Sequence, residues 1–393
     1  MTQNAAAHRL RFILILGTLS ATGPLAIDLY LPALPQMMRQ FNTSASMMQL
    51  SITACLIGLA IGQLIVGPLS DRYGRRRPLF LGFFVFALAS LAISLTHSIS
   101  LLIIFRFLQG IAGASGQVLS RAVARDLFSG PALTQFYAIL NAVNGIFPIL
   151  APIVGGVLIR FVPWQGIFVL LGTIGLILCG LIIIGIPETL AIAQRQTGPL
   201  FDIYKSFGQL LKTPQFTGYI IVTGVVYGSL FSYIAASTFV YQNLFGLSAQ
   251  AFSLIYALNG LGIVIGSALP GRLNQISAKR QVQVSLSISV LVGGLLLVGA
   301  NVHFPLVAVA GLIFVLVMMI GLLLTLTTSI IMNLTTQNAG GASALIGLSQ
   351  NAFGGLASPI VGLFGSASYA PMATMVLLFS GAALALVTRS KSR

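Results

Sequence analysis

The chain has 393 residues, of which 57% are hydrophobic and 6% charged. A soluble domain carries about 25% charged residues, so this composition excludes a soluble fold and points to a membrane protein with many spans. The net charge of +15 would suit a nucleic-acid binder, but the cations sort by membrane side and form no basic domain, which excludes that reading.

The apolar runs are long and continuous and do not alternate every second residue. Helices are therefore expected, not a barrel. Twelve spans are predicted, near 12–34, 46–68, 79–97, 100–123, 132–158, 164–186, 216–240, 249–270, 282–300, 305–329, 341–364 and 369–388. The first is too long for a signal-peptide core and contains Pro24, Asp28 and Pro32, so it reads as a retained helix. With the N-terminus inside, 17 of the 20 Lys and Arg fall on the inner side. Only Arg39 and Arg160 fall outside, and Arg106 lies within the fourth span. That bias predicts cytoplasmic N- and C-termini. Cys55 and Cys179 lie in different spans and read as small buried residues.

In the first span stands Asp28, one of only five acids in the chain. It lies about six residues before the outer end of the helix, roughly 9 Å deep at 1.5 Å per residue. An acid inside a span is costly and marks function. Asp71, Asp126, Glu188 and Asp202 all fall at the inner surface. A proton-coupled carrier needs a group that loads and releases a proton as its access changes, and Asp28 is the candidate. Arg106, about seven residues into the fourth span, lies at a similar depth and is its natural partner, because an unpaired buried Arg is costly.

After the second span comes "GPLSDRYGRRRP" (67–78). Gly67 and Gly74 permit tight backbone conformations, and Asp71 stands beside a run of arginines. Arg75 is expected to pair with Asp126 at the end of the fourth span. In the fifth span, Pro152 removes a backbone hydrogen bond, and Gly155 and Gly156 allow close helix packing. The longest polar connection, roughly 187–215, carries Phe201, Ile203, Phe207, Leu210 and Leu211 between charges, which suits an amphipathic helix on the inner surface. It divides the chain into a six-helix bundle (1–190), a linker (191–215) and a second six-helix bundle (216–393).

The halves echo each other. "GPLSDRYGRR" (67–76) aligns with "GRLNQISAKR" (271–280), and "APIVG" (151–155) with "SPIVG" (358–362). The offsets are 204 and 207, and Gln275 stands where the first copy has Asp71. Duplicated bundles are a recurrent transporter architecture, with the substrate site expected between them near mid-membrane. Tyr30, Gln109, Asn141, Phe231, Tyr233, Asn259 and Asn351 are the aromatic and amide candidates for reading a substrate. The chain has no GxxxxGK[ST] phosphate loop, no HExxH and no clustered His/Cys set, so ATP drive, a metal site and an enzyme are all unsupported. Protons are the one coupling ion expected, and no cofactor is.

"GPLSDRYGRRRP" resembles the loop between helices two and three of the major facilitator superfamily. "RFLQGIAGA" (106–114) resembles its fourth-helix motif, and "APIVGG" (151–156) its antiporter motif, although Ala151 replaces the usual Gly. "AIDLYLPALP" (26–35), "RAVARDLF" (121–128), "PW" (163–164) and "IPETL" (186–190) are similar to the Bcr/CflA drug-efflux subfamily. The resemblance covers essentially the whole chain. It implies an all-α, twelve-helix fold of two pseudo-symmetric six-helix bundles, in which helices one and four are neighbours. It implies that the 67–78 loop is a latch, that the Arg106 motif serves proton transfer, and that Pro152, Gly155 and Gly156 control leak. It also implies efflux of a small lipophilic drug or antibiotic in exchange for protons, by a monomer in a bacterial cytoplasmic membrane. A uniporter or proton symporter for a nutrient is the first rival, and a non-transporting receptor or membrane enzyme the second.

Overall fold

A computed structural model of the chain describes residues 2–128, 130–195, 202–273, 275–334, 339–365 and 367–389. Within these ranges the side chains of 2–11, 130–135, 137–139, 141–145, 194, 202–206 and 339–340 lie outside the description. The described residues form an all-α fold. In chain order the helices are α1 (Thr2–Asp28), α2 (Leu34–Gln40), α3 (Ala45–Tyr73), α4 (Arg76–Leu95), α5 (Ile99–Leu127), α6 (Gly130–Leu158), α7 (Gln165–Gly185), α8 (Asp202–Leu211), α9 (Pro214–Phe239), α10 (Ala249–Arg272), α11 (Ala278–Val302), α12 (Leu306–Asn333), α13 (Ala339–Leu363) and α14 (Ala370–Arg389). Among the described residues, ten segments are long and apolar enough to cross a membrane. Helices α6 and α13 stand where the fifth and eleventh predicted spans fall.

Three boundaries differ from the hydropathy reading. The first span is a broken rod: α1 stops at Asp28, a short 3-10 turn covers Leu31–Ala33, and α2 follows. Pro32 has no N–H to give the Asp28 carbonyl, and Pro35 none to give Leu31, so the α-helical ladder fails at both places. The turn after the second span is much shorter than the polar string suggests. Helix α3 runs on to Tyr73 and α4 starts at Arg76, because charge ends a hydropathy window without ending a helix. Gly67 therefore lies inside α3, where the nearest atom to an added Cβ would be Val118 Cγ1 at 3.8 Å. The linker supplies α8, whose Phe207 and Leu210 pack on a core of Phe216, Tyr219, Ile220, Ile331 and Leu345.

The chain divides into two compact units. Unit 1 comprises Met1–Leu31 and Ile57–Asp202, and unit 2 comprises Pro32–Leu56 and Ile203–Arg393. In unit 1, α1 packs on α5, α6 and α7, and α4 packs on α5 and α7. In unit 2, α9 packs on α12, α13 and α14, and α11 packs on α12 and α14. The five pairings repeat element for element.

The repeat extends to single glycines. A Cβ on Gly58 would lie 2.3 Å from the Phe107 carbonyl oxygen, and one on Gly62 2.5 Å from that of Ile111. In unit 2, Gly262 meets Phe314, and a Cβ on Gly266 would lie 1.9 Å from the Met318 carbonyl oxygen. The glycines are 204 apart and their partners 207 apart, the same two offsets as the sequence echo. Small residues let helix backbones approach where lipid gives no hydrophobic drive between helices.

Unit 2 also holds residues 32–56 from the first half of the sequence, by three side-chain-to-backbone hydrogen bonds. Gln49 Nε2 donates to the Ala235 carbonyl at 3.0 Å, and Thr53 Oγ1 to that of Gly355 at 2.9 Å. Gln242, in the π-helical turn after α9 (Val240–Leu244), donates Nε2 to the Pro32 carbonyl at 3.1 Å.

Overpacking a tight contact costs about 1–3 kcal/mol. Gly266→Ala is therefore expected to lower stability by that amount in thermal unfolding of the detergent-purified protein. Gly294→Ala, whose Cβ would meet nothing within 4 Å, is expected to leave the unfolding temperature unchanged or slightly raised. Equal behaviour of the two variants would contradict the glycine seam.

Candidate functional site

The break in α1 places an acid at a helix end inside an apolar unit. Asp28 is 5% exposed. Arg106 on α5 is fully buried. Arg106 Nη1 donates to the Ala26 carbonyl at 2.9 Å, two residues before Asp28. Its guanidinium carbon lies 4.4 Å from the centroid of the Tyr30 ring, two residues after Asp28. The cation thus touches the chain on both sides of the acid.

Other side chains fix the guanidinium. Arg106 Nη1 also donates to Gln109 Oε1. Gln109 Nε2 donates to Ser90 Oγ on α4 at 2.7 Å, and Ser90 Oγ donates to the Phe86 carbonyl at 2.7 Å. Gln109, read from sequence as a substrate residue, here spends one end of its amide on Arg106 and the other on Ser90, and is fully buried. The Phe168 ring lies 5.9 Å from the guanidinium carbon, 5.7 Å from Tyr30 and 5.9 Å from Trp164, the only tryptophan of the chain. Aromatic faces attract a desolvated cation by about 2 kcal/mol.

The glycines of α6 meet the same break. A Cβ on Gly155 would lie 1.9 Å from the Leu29 carbonyl oxygen, one residue after Asp28. Only glycine allows this approach. Pro152 and Gly156 are buried in the same helix.

The second cluster of unit 1 surrounds the turn between α3 and α4. Gly74 has φ +89°, a left-handed conformation that glycine takes without strain. An added Cβ there would collide with Glu188 Oε2 at 2.2 Å. Arg75, 3% exposed, donates from Nη1 to Asp71 Oδ1 at 2.5 Å and to Ser70 Oγ at 2.7 Å, and from Nε to Asp126 Oδ2 at 3.0 Å. Burial opposes the charge on Arg75. The hydrogen bonds and charges of Asp126 and Asp71 outweigh it and hold the guanidinium pKa above its usual value.

Sequence reasoning set Glu188 aside as an inner-surface acid, yet it closes this cluster. Its carboxylate accepts from the backbone N–H of Arg75 at 2.8 Å and of Arg76 at 3.3 Å, and lies 3.8 Å from Arg195. Thr189 Oγ1 donates to Asp126 Oδ2 at 2.9 Å. The spacing of "IPETL" after the sixth span was the available signal. Its target is a pair of backbone amides, which no side-chain pattern displays.

In unit 2, Tyr233 and Asn259 meet: Asn259 Nδ2 donates to Tyr233 Oη at 2.8 Å, and the Tyr256 ring stacks on Tyr233 at 5.9 Å. Phe231 packs against Tyr227, with ring centroids 5.0 Å apart, and beside Gly354. Asn351 donates Nδ2 to the Gly347 carbonyl of its own helix at 3.0 Å. The side chain of Asn141 lies outside the described residues. No group of three or more His, Cys, Asp or Glu with metal-binding geometry occurs among the described residues.

The family profile of the Major Facilitator Superfamily matches residues 16–359. The chain belongs to this superfamily. Its members are transporters, not enzymes, and this chain is a multi-pass membrane protein of that kind. The chain is similar to the uncharacterized MFS-type transporter YdgK of Bacillus subtilis (40% identity, over 91% of this chain and 89% of that one). It is also similar to a bicyclomycin resistance protein homolog of Haemophilus influenzae (32%, over 72% and 71%) and to multidrug resistance protein D of Escherichia coli (28%, over 88% and 86%). Among solved structures, a bacterial homolog of the human lysosomal transporter Spinster matches at TM-score 0.76 and 14% identity, over 100% of this chain and 98% of that one. The xylose transporter XylE from Escherichia coli matches at TM-score 0.70 and 14% identity, over 95% and 96%. These two likenesses speak for the superfamily fold.

Within the superfamily chain, the two acids on Arg75 differ in exposure: Asp126 is 13% exposed at the side chain and Asp71 31%. Hydrogen bonds to charged groups contribute about 1.5–3 kcal/mol, more where water cannot substitute. Asp126→Asn is expected to lower the unfolding temperature more than Asp71→Asn, and the double variant less than additively, because both release one guanidinium. A thermal-melt double-mutant cycle reads this directly, and strict additivity would contradict a shared site.

Proposed function

We propose that the chain is a proton-coupled exporter of small drug-like molecules, of the Bcr/CflA type, in a bacterial cytoplasmic membrane with both termini in the cytoplasm. Secondary transport follows from the superfamily; the export direction, the drug and the proton are this proposal. The observation that carries it is the buried Asp28 at the break in α1, flanked by the contacts of Arg106 with Ala26 and Tyr30. An ionisable group inside a span marks a functional path. A broken helix leaves backbone carbonyls facing the same place. Several relatives at 26–32% identity are named for resistance to bicyclomycin, chloramphenicol or multiple drugs, which supports the substrate class.

On this reading Asp28 takes a proton when drug leaves on the outer side. Neutral Asp28 interacts less with Arg106, and the unit relaxes toward the other access state. Loss of the proton to the cytoplasm restores the charge, and drug binds again. Drug and proton thus compete through one carboxylate. Gly155, on the Leu29 carbonyl, transmits the state of the break to α6. The turn at Gly74, with Asp71, Arg75 and Asp126, acts as the latch of the cytoplasmic end. Tyr30, Phe231, Tyr233, Asn259 and Asn351 offer neutral aromatic and amide contacts suited to a lipophilic drug. Asn141 is kept as a candidate of the same kind, and Gln109 acts through Arg106. The cation bias of the sequence supports the orientation, and the protein is proposed to work as a monomer.

The test is drug-induced proton movement in liposomes, across a panel that includes a phenicol and bicyclomycin. Wild type is expected to release protons on drug binding, and Asp28→Asn to lose at least tenfold of that signal while still folding. Arg106→Lys keeps the charge but not the planar contacts with Tyr30 and Phe168, and is expected to reduce coupling as well. Unchanged proton release in Asp28→Asn would sink Asp28 as the coupling site. No response to any drug would sink the export reading.

A further inference from the structure

Four of the five acids of the chain lie within unit 1, and the fifth, Asp202, stands on its boundary as the first residue of α8, which packs on unit 2. Asp202 apart, unit 2 carries nine Lys and Arg and no Asp or Glu, so α10, α11 and the loop between them hold cations and no acidic side chain. The contrast is sharpest where the two copies of the same loop are compared. Arg76 aligns with Arg280 at the offset of 204. In unit 1 the Arg76 guanidinium donates to the Ile183 carbonyl, and its backbone N–H donates to Glu188. In unit 2 the loop is tied by an amide instead: Gln281 Nε2 donates to the carbonyls of Leu273 at 2.9 Å and Ile276 at 2.8 Å. The acid of the first loop, Asp71, is Gln275 in the second.

Arg280 is exposed and opens a groove of about 380 Å³ along one face of α11. Its lining runs Arg280, Gln283, Val284, Ser287, Ile288 and Leu291. These positions follow helical spacing, with the polar ones toward one end and the apolar ones toward the other. Ser287 Oγ is spent on the Gln283 carbonyl at 2.9 Å, so the groove passes from a cation through an amide to bare aliphatic surface. Val284 is 51% exposed and Leu291 61%. The opposite face of α11, with Val282, Leu286, Val292 and Leu296, is buried in the unit.

We propose that this face of α11 binds one anionic phospholipid. The phosphate sits on Arg280, and one acyl chain lies along Val284, Ile288 and Leu291. The topogenic role of cations accounts for their number on one side of the membrane. It does not account for a single Arg at the head of an apolar groove on a helix that, with its loop, carries no acid. A lipid phosphate supplies the missing anion, and juxtamembrane cations attract anionic lipid with about 1 kcal/mol each, roughly a fivefold change in affinity.

The experiment is native mass spectrometry of the full chain in detergent, titrated with phosphatidylglycerol and, in parallel, phosphatidylcholine. Wild type is expected to hold one phosphatidylglycerol in clear preference to phosphatidylcholine. Arg280→Gln lowers that affinity roughly fivefold, Arg280→Lys keeps most of it, and Val284→Trp, which fills the groove without touching charge, lowers it as well. Arg160→Gln removes a cation from unit 1 and leaves it unchanged. The proposal is overturned if Arg280→Gln binds phosphatidylglycerol like wild type, if phosphatidylcholine binds equally, or if Arg160→Gln has the same effect as Arg280→Gln.

Discussion

A guanidinium inside an apolar helical unit has to be surrounded by acceptors and aromatic faces, and the organisation of unit 1 follows from that demand. Arg106 carries a permanent charge and is fully buried. Three helices answer it. Helix α1 gives the Ala26 carbonyl and the break after it the Tyr30 ring, α5 gives Gln109 from the next turn, and α7 gives Phe168. Helix α4 enters at one remove, through Ser90 on Gln109. An unbroken α1 would place residues 26–30 in a regular ladder. The two prolines end that ladder beside the cation, and Asp28 sits at the end they create.

Because Arg106 draws on so many elements, the close helix seams around it are requirements and not ornaments. Gly116 takes the Leu19 carbonyl of α1 against α5, where a Cβ would stand 2.0 Å away. Gly155 takes the Leu29 carbonyl of the same broken segment against α6. Two neighbours therefore grip α1, one before the break and one after it. On the proposed reading, a change in the charge at Asp28 acts on a segment clamped at both ends, so a local proton event is passed to packed helices rather than lost in a loose fluctuation.

Much of this was legible in the sequence. Hydropathy placed the helices, and the offsets of 204 and 207 pointed to two similar bundles; the glycine contacts of Gly58 and Gly62, repeated at Gly262 and Gly266, keep the same offsets but came from the structure. Asp28 and Arg106 announced themselves as charges in apolar runs, and the Arg75–Asp126 pair followed from complementary charge at neighbouring helix ends. The rest was hidden for physical reasons. Glu188 binds backbone amides, which every residue has, so nothing in the pattern selects its target. Gln109 looked like a polar group seeking a ligand because its partners, Ser90 and Arg106, lie on another helix and on the next turn of its own. Phe168 was indistinguishable from other apolar residues until the cation it covers was located. Hydropathy also misplaced the turn at Gly74, since helices extend past the charge that ends an apolar window.

The duplication repeats in helix packing and is unequal in charge, and the inequality constrains mechanism. A fold whose two units share five helix pairings has no geometric reason to treat them differently. Electrostatics supplies one, because four of the five acids lie within unit 1 and the fifth, Asp202, stands at its boundary. Of these, Asp71 and Asp126 are held by Arg75, and Glu188 by the amides of the Gly74 turn. Asp28 is the acid within a membrane span. On the proposed reading, the proton then has one unit to act on, while unit 2 meets the substrate with neutral pairs such as Tyr233 and Asn259. Such a division suits antiport of an uncharged or weakly charged drug. A neutral surface in one unit can accept varied lipophilic shapes, and competition with the proton is confined to the other, at a single buried carboxylate.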